Sequence, residues 1–406
     1  MKAFLVATLL LLLFPFIAQA QFSAPKPSAP PADTSRRSIM SSSSYTLRTL
    51  KMSPIYVLSA DDNGGIDASR QFAGAKPLPD SCHYIGEQYL QNIMQLTFEG
   101  ENAEAYLSPD DKYLTFQAHG VKPNTCDQIY MMTIDGKNVK RISTGKGRTT
   151  CSYFYPGGDT ILYASTHEHY DGACPPQPDM SQGYVWPLDG GYDIYLADTT
   201  GKQIGQLTHN EGIYDAEATV SPKGDRIVFT STRSGDIELW SMKLDGTGLR
   251  QLTHEEGYDG GAYFSPDGKE IVYRASRPQG EALTEYRALL KKGLVKPTEL
   301  EIWVMNADGS NKRQVTHLNA ASFAPYWHPD GKRIIFSSNY LDKKHHRDFE
   351  LFMIDKDGTH LKRVTTGGGF NSFPMFTRDG KKLVFCSNRN GSHPHNTNIF
   401  VADWTE

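Results

Sequence analysis

Residues 261–276 read GAYFSPDGKEIVYRAS, in which two segments of alternating apolar and polar residues flank the turn Ser-Pro-Asp-Gly. Proline presets the backbone for the first turn position, aspartate can bond to its own backbone, and glycine accepts a positive φ. Alternation with a period of two is typical of a half-buried strand. The stretch therefore predicts a β-hairpin, whose strands are called a and b below.

The hairpin recurs along the chain and is followed each time by two further strand segments. Strand c is a third apolar segment, such as EIWVM at 301–305, and strand d follows a second glycine turn and ends in sequences such as RQVT at 313–316. Four short strands in each repeat are the pattern of one β-propeller blade. The six hairpins are AEAYLSPDDKYLTFQA at 103–118, TCSYFYPGGDTILYAS at 150–165, AEATVSPKGDRIVFTS at 216–231, GAYFSPDGKEIVYRAS at 261–276, APYWHPDGKRIIFSSN at 324–339 and FPMFTRDGKKLVFCSN at 373–388.

The sixth repeat reaches only its third strand, Asn398 to Trp404. A segment with the pattern of strand d, Ile93 to Thr97, stands upstream of the first repeat instead. We expect this segment to pair with the sixth blade, which would close the ring and remove an open sheet edge. The prediction is an all-β, six-bladed propeller over residues 91–406, with four-stranded blades and closure by an N-terminal strand.

The repeated SPDGK hairpin, the IWVMNADG third strand and the QLT ending resemble the repeats of TolB-like propellers, over roughly residues 91–404. The resemblance implies the fold more strongly than a function. Similar WD-like repeats serve in periplasmic protein–protein binding, in oligogalacturonate lyases and as gating propellers of prolyl oligopeptidases. A TolB-type N-terminal α/β domain is not evident in this sequence.

The region before the repeats is interpreted as three segments. Residues 1–20 have the pattern of a signal peptide, with Lys2 before an apolar run and Ala-Gln-Ala at the end. Residues 21–50 are rich in Ser and Pro and are expected to be disordered, and residues 51–90 form an extension whose order the sequence does not indicate. We expect export to the periplasm or the medium, no membrane insertion after signal cleavage, and a monomer.

The composition and the loop lengths direct attention to one face of the propeller. The formal net charge of −4 gives no electrostatic basis for binding nucleic acid. Length varies in the b–c loops, with insertions at 166–191, 277–299 and 340–348, and variable loops on a rigid scaffold commonly carry binding sites. We call the side formed by the b–c loops and the d–a links the b–c face. A helix predicted at Glu281 to Lys292 is either a lid over the channel or a cap on blade edges.

Polar residues occur where each inner strand begins, at the expected mouth of the central channel. Several carboxylates there could attract a cation or a basic partner, and their oxygens could hold Ca²⁺. The alternative is that junctions between loops and strands are polar in any fold. The candidate ligand-binding residues are Asn102, Glu104, Arg148, Asp215, Glu217, Asp259 and Asn371.

Histidines also concentrate in the loops of this face. The pairs His167/His169 and His393/His395 have a spacing that a divalent transition metal could use. Two functions follow: a non-catalytic protein that binds a protein or glycan partner on the b–c face, and, as the alternative, a metal-dependent polysaccharide lyase or hydrolase at the channel mouth. We favour binding and expect no cofactor, because the sequence lacks the G-x-S-x-G, P-loop and H-E-x-x-H motifs.

Five cysteines in a chain that is predicted to be exported allow disulfides. Cys126, Cys151 and Cys174 are expected near one corner between blades one and two. The favoured pair is Cys126–Cys174, with Cys151–Cys174 as the alternative. Cys386 is predicted to be a buried thiol, and Cys82 is not assigned.

Overall fold

The computed structural model describes residues 66–122, 126–180, 183–393 and 396–406. The predicted signal peptide (1–20), the Ser/Pro-rich segment (21–50) and the extension as far as residue 65 lie outside the described residues. Within the described ranges, the strands form six antiparallel sheets in the order expected for six blades, together with one two-stranded sheet made by loop insertions. The fold is a six-bladed β-propeller, as the repeats predict.

Each blade places strand a at the centre and strand d at the rim. The elements before blade one are α1 (Ala68–Gln71), β1 (Lys76–Pro77), a 3-10 turn (Asp80–Cys82) and β2 (Leu90–Gln95). Blade one contains β3 (Glu101–Leu107), β4 (Tyr113–His119), β5 (Gln128–Thr133) and β6 (Lys140–Arg141); blade two contains β7 (Thr149–Phe154), β8 (Thr160–Ser165), a 3-10 turn (Tyr170–Gly172), β9 (Trp186–Pro187), β10 (Asp193–Asp198) and β11 (Gln203–Gln206); and blade three contains β12 (Asp215–Val220), β13 (Ile227–Ser231), β14 (Glu238–Met242) and β15 (Arg250–Gln251). Blade four contains β16 (Asp259–Phe264), β17 (Glu270–Ala275), α2 (Gly280–Leu290), β18 (Leu294–Val295), β19 (Glu301–Asn306) and β20 (Arg313–Gln314); blade five contains β21 (Ser322–Trp327), β22 (Arg333–Ser338), β23 (Glu350–Asp355) and β24 (Lys362–Arg363); and blade six contains β25 (Asn371–Phe376), β26 (Lys382–Ser387) and β27 (Asn398–Trp404).

The a–b turns have the predicted chemistry. In blade four, the Ser265 hydroxyl donates to Asp267 over 2.7 Å, and the Gly268 amide donates to the Ser265 carbonyl over 2.8 Å. Gly268 has a φ of +64°, which glycine adopts without the steric cost that a side chain would add. These local bonds fix the register of the hairpin.

All six inner strands share a β-bulge near their midpoint. The bulged residues have positive φ values between 49° and 59°, and all six line one inner cavity of the channel. A bulge re-aims a side chain at the cost of a local break in the ladder. The six residues are Glu104, Cys151, Glu217, Gly261, Ala324 and Phe373.

The sixth sheet takes its outer strands from the N-terminal side of the chain. Strand β2 pairs antiparallel with β27, with Leu90 opposite Trp404 and Gln95 opposite Phe400, and β1 adds a fifth strand beyond β2. The sequence analysis placed this outer strand at Ile93 to Thr97, so the paired segment begins three residues earlier than expected. The β2–β27 ladder joins the strand that precedes blade one to the last strand of blade six.

The extension before β2 contributes buried polar contacts to the same joint. Glu87 forms a two-bond ion pair with Arg389 at 2.9 and 3.0 Å, and both side chains are almost completely buried. Gln71 donates to Asn102 of blade one over 2.8 Å. Part of the segment that the sequence left unassigned is therefore a structural element of blades six and one.

Replacing Glu87 tests the contribution of this joint. Glu87→Gln leaves the buried guanidinium of Arg389 without its charged partner, so the free energy of unfolding should fall by about 3–5 kcal/mol, as measured by urea denaturation. Asp135→Asn is the matched control, because Asp135 pairs with Lys137 on the surface; its effect should stay within about 1 kcal/mol. Equal losses in the two variants would contradict this account.

Candidate functional site

Two of the predicted mouth carboxylates are structural. Both oxygens of Asp215 lie 2.8 Å from Arg233, Asp259 lies 2.8 Å from Arg277, and neither aspartate is exposed to solvent. In each blade the arginine follows the aspartate by eighteen residues, at the end of strand b. The expected acidic rim is therefore corrected at these two positions, because the charges are already paired within the hairpin.

The two predicted asparagines also have structural partners. Asn102 accepts from Gln71 and donates to the Glu99 carbonyl over 2.7 Å. Asn371 accepts from Ser387 over 2.9 Å and from Arg389 over 3.1 Å. Neither asparagine lines the cavity described next.

A cavity of about 110 Å³ occupies the channel mouth on the b–c face. Of the seven predicted residues, it brings together Glu104, Arg148 and Glu217, while Asn102, Asp215, Asp259 and Asn371 lie outside its lining. Aromatic and acidic groups make up much of the wall. The lining consists of Glu101, Glu104, Gln117, Asp127, Arg148, Thr149, Thr150, Cys151, Gln177, Pro178, Met180, Val185, Trp186, Pro187, Leu188, Tyr192, Tyr214, Glu217, Tyr258, Arg274, Phe323 and Phe373.

Tyrosines close the channel below this cavity. Tyr106, Tyr153, Tyr263 and Tyr326 come from four different inner strands, three positions before the turn proline in each. The Tyr263 hydroxyl donates to that of Tyr106 over 2.6 Å, and the rings of Tyr263 and Tyr326 lie 5.4 Å apart. Burial raises the pKa of all four phenols, which are therefore neutral. The tyrosine rings therefore separate the cavity from the a–b side of the channel.

The insertions of blades two and four meet above the cavity. Strand β9 pairs with β18, with Trp186 opposite Val295 and Pro187 opposite Leu294. The Trp186 ring also contacts Tyr258 and Phe323 edge-on, at 6.1 and 6.3 Å. This two-stranded sheet, called the roof below, covers the channel mouth.

Helix α2 precedes the roof strand β18 and contacts the loops of neighbouring blades. The helix begins at Gly280 and ends at Leu290, slightly earlier than the sequence predicted. Its one buried residue, Tyr286, bonds to Asp236 in the b–c loop of blade three, and Arg287 pairs with Glu256 at 2.6 Å. Of the two interpretations of this helix, the contacts of α2 with the loops of neighbouring blades agree with the cap.

Arg274 is the cavity residue that the sequence analysis missed. Its guanidinium bonds to Glu217 and to the hydroxyl of Tyr258, and it lies 5.1 Å from the centre of the Trp186 ring. Thr230 and the Gly261 amide donate to the same carboxylate of Glu217 over 2.7 and 3.0 Å. The available signal was a cationic residue at a strand-b position where four other repeats have Ala, Thr, Ser or Cys.

Glu101, Asp127 and Arg148 form the rim of the cavity beside blade one. Burial and the nearby Asp127 charge raise the pKa of the Glu101 carboxyl to about 8. Asp127 lies 3.9 Å from Arg148 and 3.7 Å from His119, whose own pKa burial lowers. At neutral pH, Glu101 is therefore largely a neutral hydrogen-bonding group.

The histidine candidates have other contacts. The ring of His167 packs at a tilt against Tyr195, with 4.2 Å between the ring centres, and His167 shares a 2.8 Å hydrogen bond with Ser165. His169 lies 3.9 Å from Asp193. His395 lies outside the described residues, so the pair with His393 is not described. Across the described ranges, the structure contains no group of three His, Cys, Asp or Glu side chains placed to hold a metal ion.

Cys126 and Cys174 are joined in a disulfide, with their Cα atoms 5.9 Å apart. This is the pairing favoured from the sequence, and it ties the blade-two insertion to blade one. Cys151, the alternative partner, is a free thiol that faces the cavity, and its pKa is raised by burial and by the charges of Glu104 and Glu217. Cys386 is a buried free thiol in strand b of blade six, as predicted.

Comparison with known proteins agrees with this architecture. The TolB beta propeller domain family matches residues 177–288 and 294–403, more than half of the chain, and the chain belongs to this family. It is 24% identical over 237 residues to an uncharacterized protein of Agrobacterium fabrum strain C58, and 30% identical over 138 residues to the Tol-Pal system protein TolB of Anaeromyxobacter dehalogenans strain 2CP-C. These matches cover 58% and 34% of this chain, and 65% and 27% of the two relatives, less than two thirds of either.

Two solved structures match part of this chain. A TolB-like structure from Agrobacterium tumefaciens has a TM-score of 0.49 at 19% identity, covering 77% of this chain and 97% of that chain. TolB from Acinetobacter baumannii has a TM-score of 0.48 at 17% identity, covering 76% and 64%. In the part of this chain that the structure describes, no helix is long and apolar enough to cross a membrane.

The raised pKa of Glu101 predicts a pH effect on stability. Between the ordinary glutamate pKa and about 8, the folded protein holds a proton that the unfolded chain has released, so the free energy of unfolding falls as pH rises through this window. Glu101→Gln removes this titration, and its free energy of unfolding should fall less between pH 5 and pH 8.5 than that of the wild type.

Urea denaturation at the two pH values measures this difference. Glu211→Gln is the matched control, because Glu211 is exposed in the loop before blade three, and this variant should follow the wild type. The account is wrong if Glu101→Gln keeps the full pH dependence of the wild type.

Proposed function

We propose that this chain is an exported binding protein that receives a protein or glycan partner at the channel mouth on its b–c face. The single observation that carries the proposal is the cavity, which the tyrosine cluster closes from below and which is lined by both charged and aromatic side chains. Pockets of this kind, concave and built from apolar walls with a few polar groups, are common binding sites. The predicted signal peptide supports export to the periplasm or the medium.

A binding role is also supported by the way in which the charges are used. Asp215 and Asp259 are paired with arginines, and Glu217 is paired with Arg274. These carboxylates therefore stabilise the fold through ion pairs and are not free to act as a general acid or base. The described residues contain no group of three His, Cys, Asp or Glu side chains placed to hold a metal ion. Burial raises the pKa of the Cys151 thiol at the cavity, which disfavours its nucleophilic thiolate form. The relative from A. dehalogenans is named as a protein of the Tol-Pal system, which supports a partner that is a macromolecule.

Site-specific photo-crosslinking tests this proposal. A photoreactive phenylalanine analogue is introduced at Gln177, which is exposed on the roof side of the cavity, and in a control at Lys381, which is exposed in the a–b turn of blade six on the opposite face. On irradiation with envelope and medium fractions of the source organism, a discrete adduct is expected from position 177 and none from position 381.

The chemistry of the adduct identifies the partner class. In a tryptic digest, a protein adduct gives a peptide of this chain joined to a foreign peptide, while a glycan adduct gives a peptide of this chain with an added mass that periodate oxidation changes. Adducts of equal yield from both positions, or from position 381 alone, would contradict binding on the b–c face.

A further inference from the structure

Blade four departs from the repeat where its second strand faces the channel. The eighth residue after the turn anchor is Arg274 in this blade, and it lies on β17, opposite Gly260 of β16. The same position carries small or uncharged residues in the other five blades: Gln117, Ala164, Thr230, Ser337 and Cys386. Arg274 therefore brings the one cationic side chain found at this position of the repeat.

A second departure in the same blade makes room for the first. Gly261 stands at the bulge where the other five blades have a side chain, and a Cβ atom there would lie 2.0 Å from Nη1 of Arg274. A Cβ atom at Gly260 would lie 2.7 Å from Oε2 of Glu217, the partner of Arg274. Because Gly260 and Gly261 have no side chains, blade four has room for the guanidinium of Arg274 and the carboxylate of Glu217 in the channel.

The arrangement leaves a hydrogen-bond donor unused. Nη2 of Arg274 donates hydrogen bonds to Glu217 and Tyr258. Nε is buried and has no hydrogen-bond partner among the described residues. The Arg274 side chain is 8% exposed and lines the cavity. A buried donor without a partner costs about 1–3 kcal/mol. Trp186 of the roof holds the guanidinium from above. The guanidinium is therefore held in place with one donor that meets no acceptor among the described residues.

The charges of the cavity restrict what that acceptor can belong to. The lining contains four carboxyl groups and two guanidinium groups, and Glu101 is largely protonated at neutral pH, so the net charge of the lining is −1. The charge of Arg274 is already balanced by Glu217. An anionic ligand is therefore repelled, and an uncharged acceptor such as a hydroxyl or ring oxygen suits Arg274 better. Glu101 and Gln117 offer positions for the hydroxyl groups of the same ligand, and Trp186 offers an aromatic face.

We propose that the cavity binds a single uncharged sugar ring, with Arg274 donating to one of its oxygens. A volume of about 110 Å³ holds on the order of ten water-sized groups, which suits one pyranose ring. A sugar presents donors, acceptors and apolar C–H faces together, and the wall offers the complement of each. The inference rests on the proposed function and narrows its partner to a glycan without acidic groups at the bound residue.

Titration with monosaccharides tests the inference. The probes are glucose, galactose, N-acetylglucosamine and, as the acidic comparison, glucuronic acid, with ligand saturation-transfer NMR and tryptophan fluorescence as readouts. At least one of the uncharged sugars should bind, and glucuronic acid should bind more weakly than its uncharged counterpart, glucose. The double variant Arg274→Gln/Glu217→Gln removes both charges together, and the affinity should fall by about tenfold or more, the loss of a hydrogen bond from a charged group.

Two further variants complete the test. Arg313→Gln/Glu270→Gln removes another ion pair of blade four outside the cavity and should bind as the wild type does. Trp186→Leu leaves the Arg274–Glu217 pair in place but removes the aromatic face, so it should also weaken binding, and it decides the matter if the first double variant does not fold.

The inference is overturned if none of the uncharged sugars binds, if glucuronic acid binds as tightly as glucose, or if the cavity variants bind like the control. This failure is separate from failure of the proposed function. A foreign peptide joined to position 177 would show a protein partner on the b–c face while the sugar inference falls.

Discussion

Closure of the ring is the constraint on which the rest of this structure depends, because a propeller holds its blades in place only when the last blade is complete. Here blade six has three strands from the end of the chain, and β2 supplies the next one. The extension before β2 adds the buried Glu87–Arg389 pair at this joint. With the ring closed, the six bulged inner strands surround one axis and their side chains share a single cavity.

The repeat uses charge chiefly to build this frame. Asp215 and Asp259 bond to arginines at the ends of their own hairpins, while in blade six Asn371 replaces the acid and Glu87 supplies the missing charge from outside the repeat. A buried pair of this kind is costly to break, since removal of one partner leaves an uncompensated charge. Acidic residues at the channel mouth are therefore weak evidence for ligand binding in this fold, although their positions in the sequence predicted a site for a cation or a basic partner.

Distinctive chemistry arises where the repeat is broken. Gly261 and Arg274 alter blade four, and the insertions of blades two and four join above the channel through β9 and β18. The disulfide from Cys126 to Cys174 ties the insertion of blade two to blade one. These features convert the channel mouth into a roofed cavity with a fixed donor, which a regular propeller of identical blades would not contain.

The sequence by itself determined the fold, the number of blades, the position of the turns and the approximate closing strand, because each follows from a pattern of neighbouring residues that repeats six times. It also indicated the face that carries the cavity and favoured the disulfide. Only the tertiary structure decided which polar residues meet there. Glu87 reaches Arg389, Trp186 reaches Arg274, and β9 reaches β18 across large separations in the chain. Such contacts depend on how the blades curve around the axis, and no local pattern encodes that geometry.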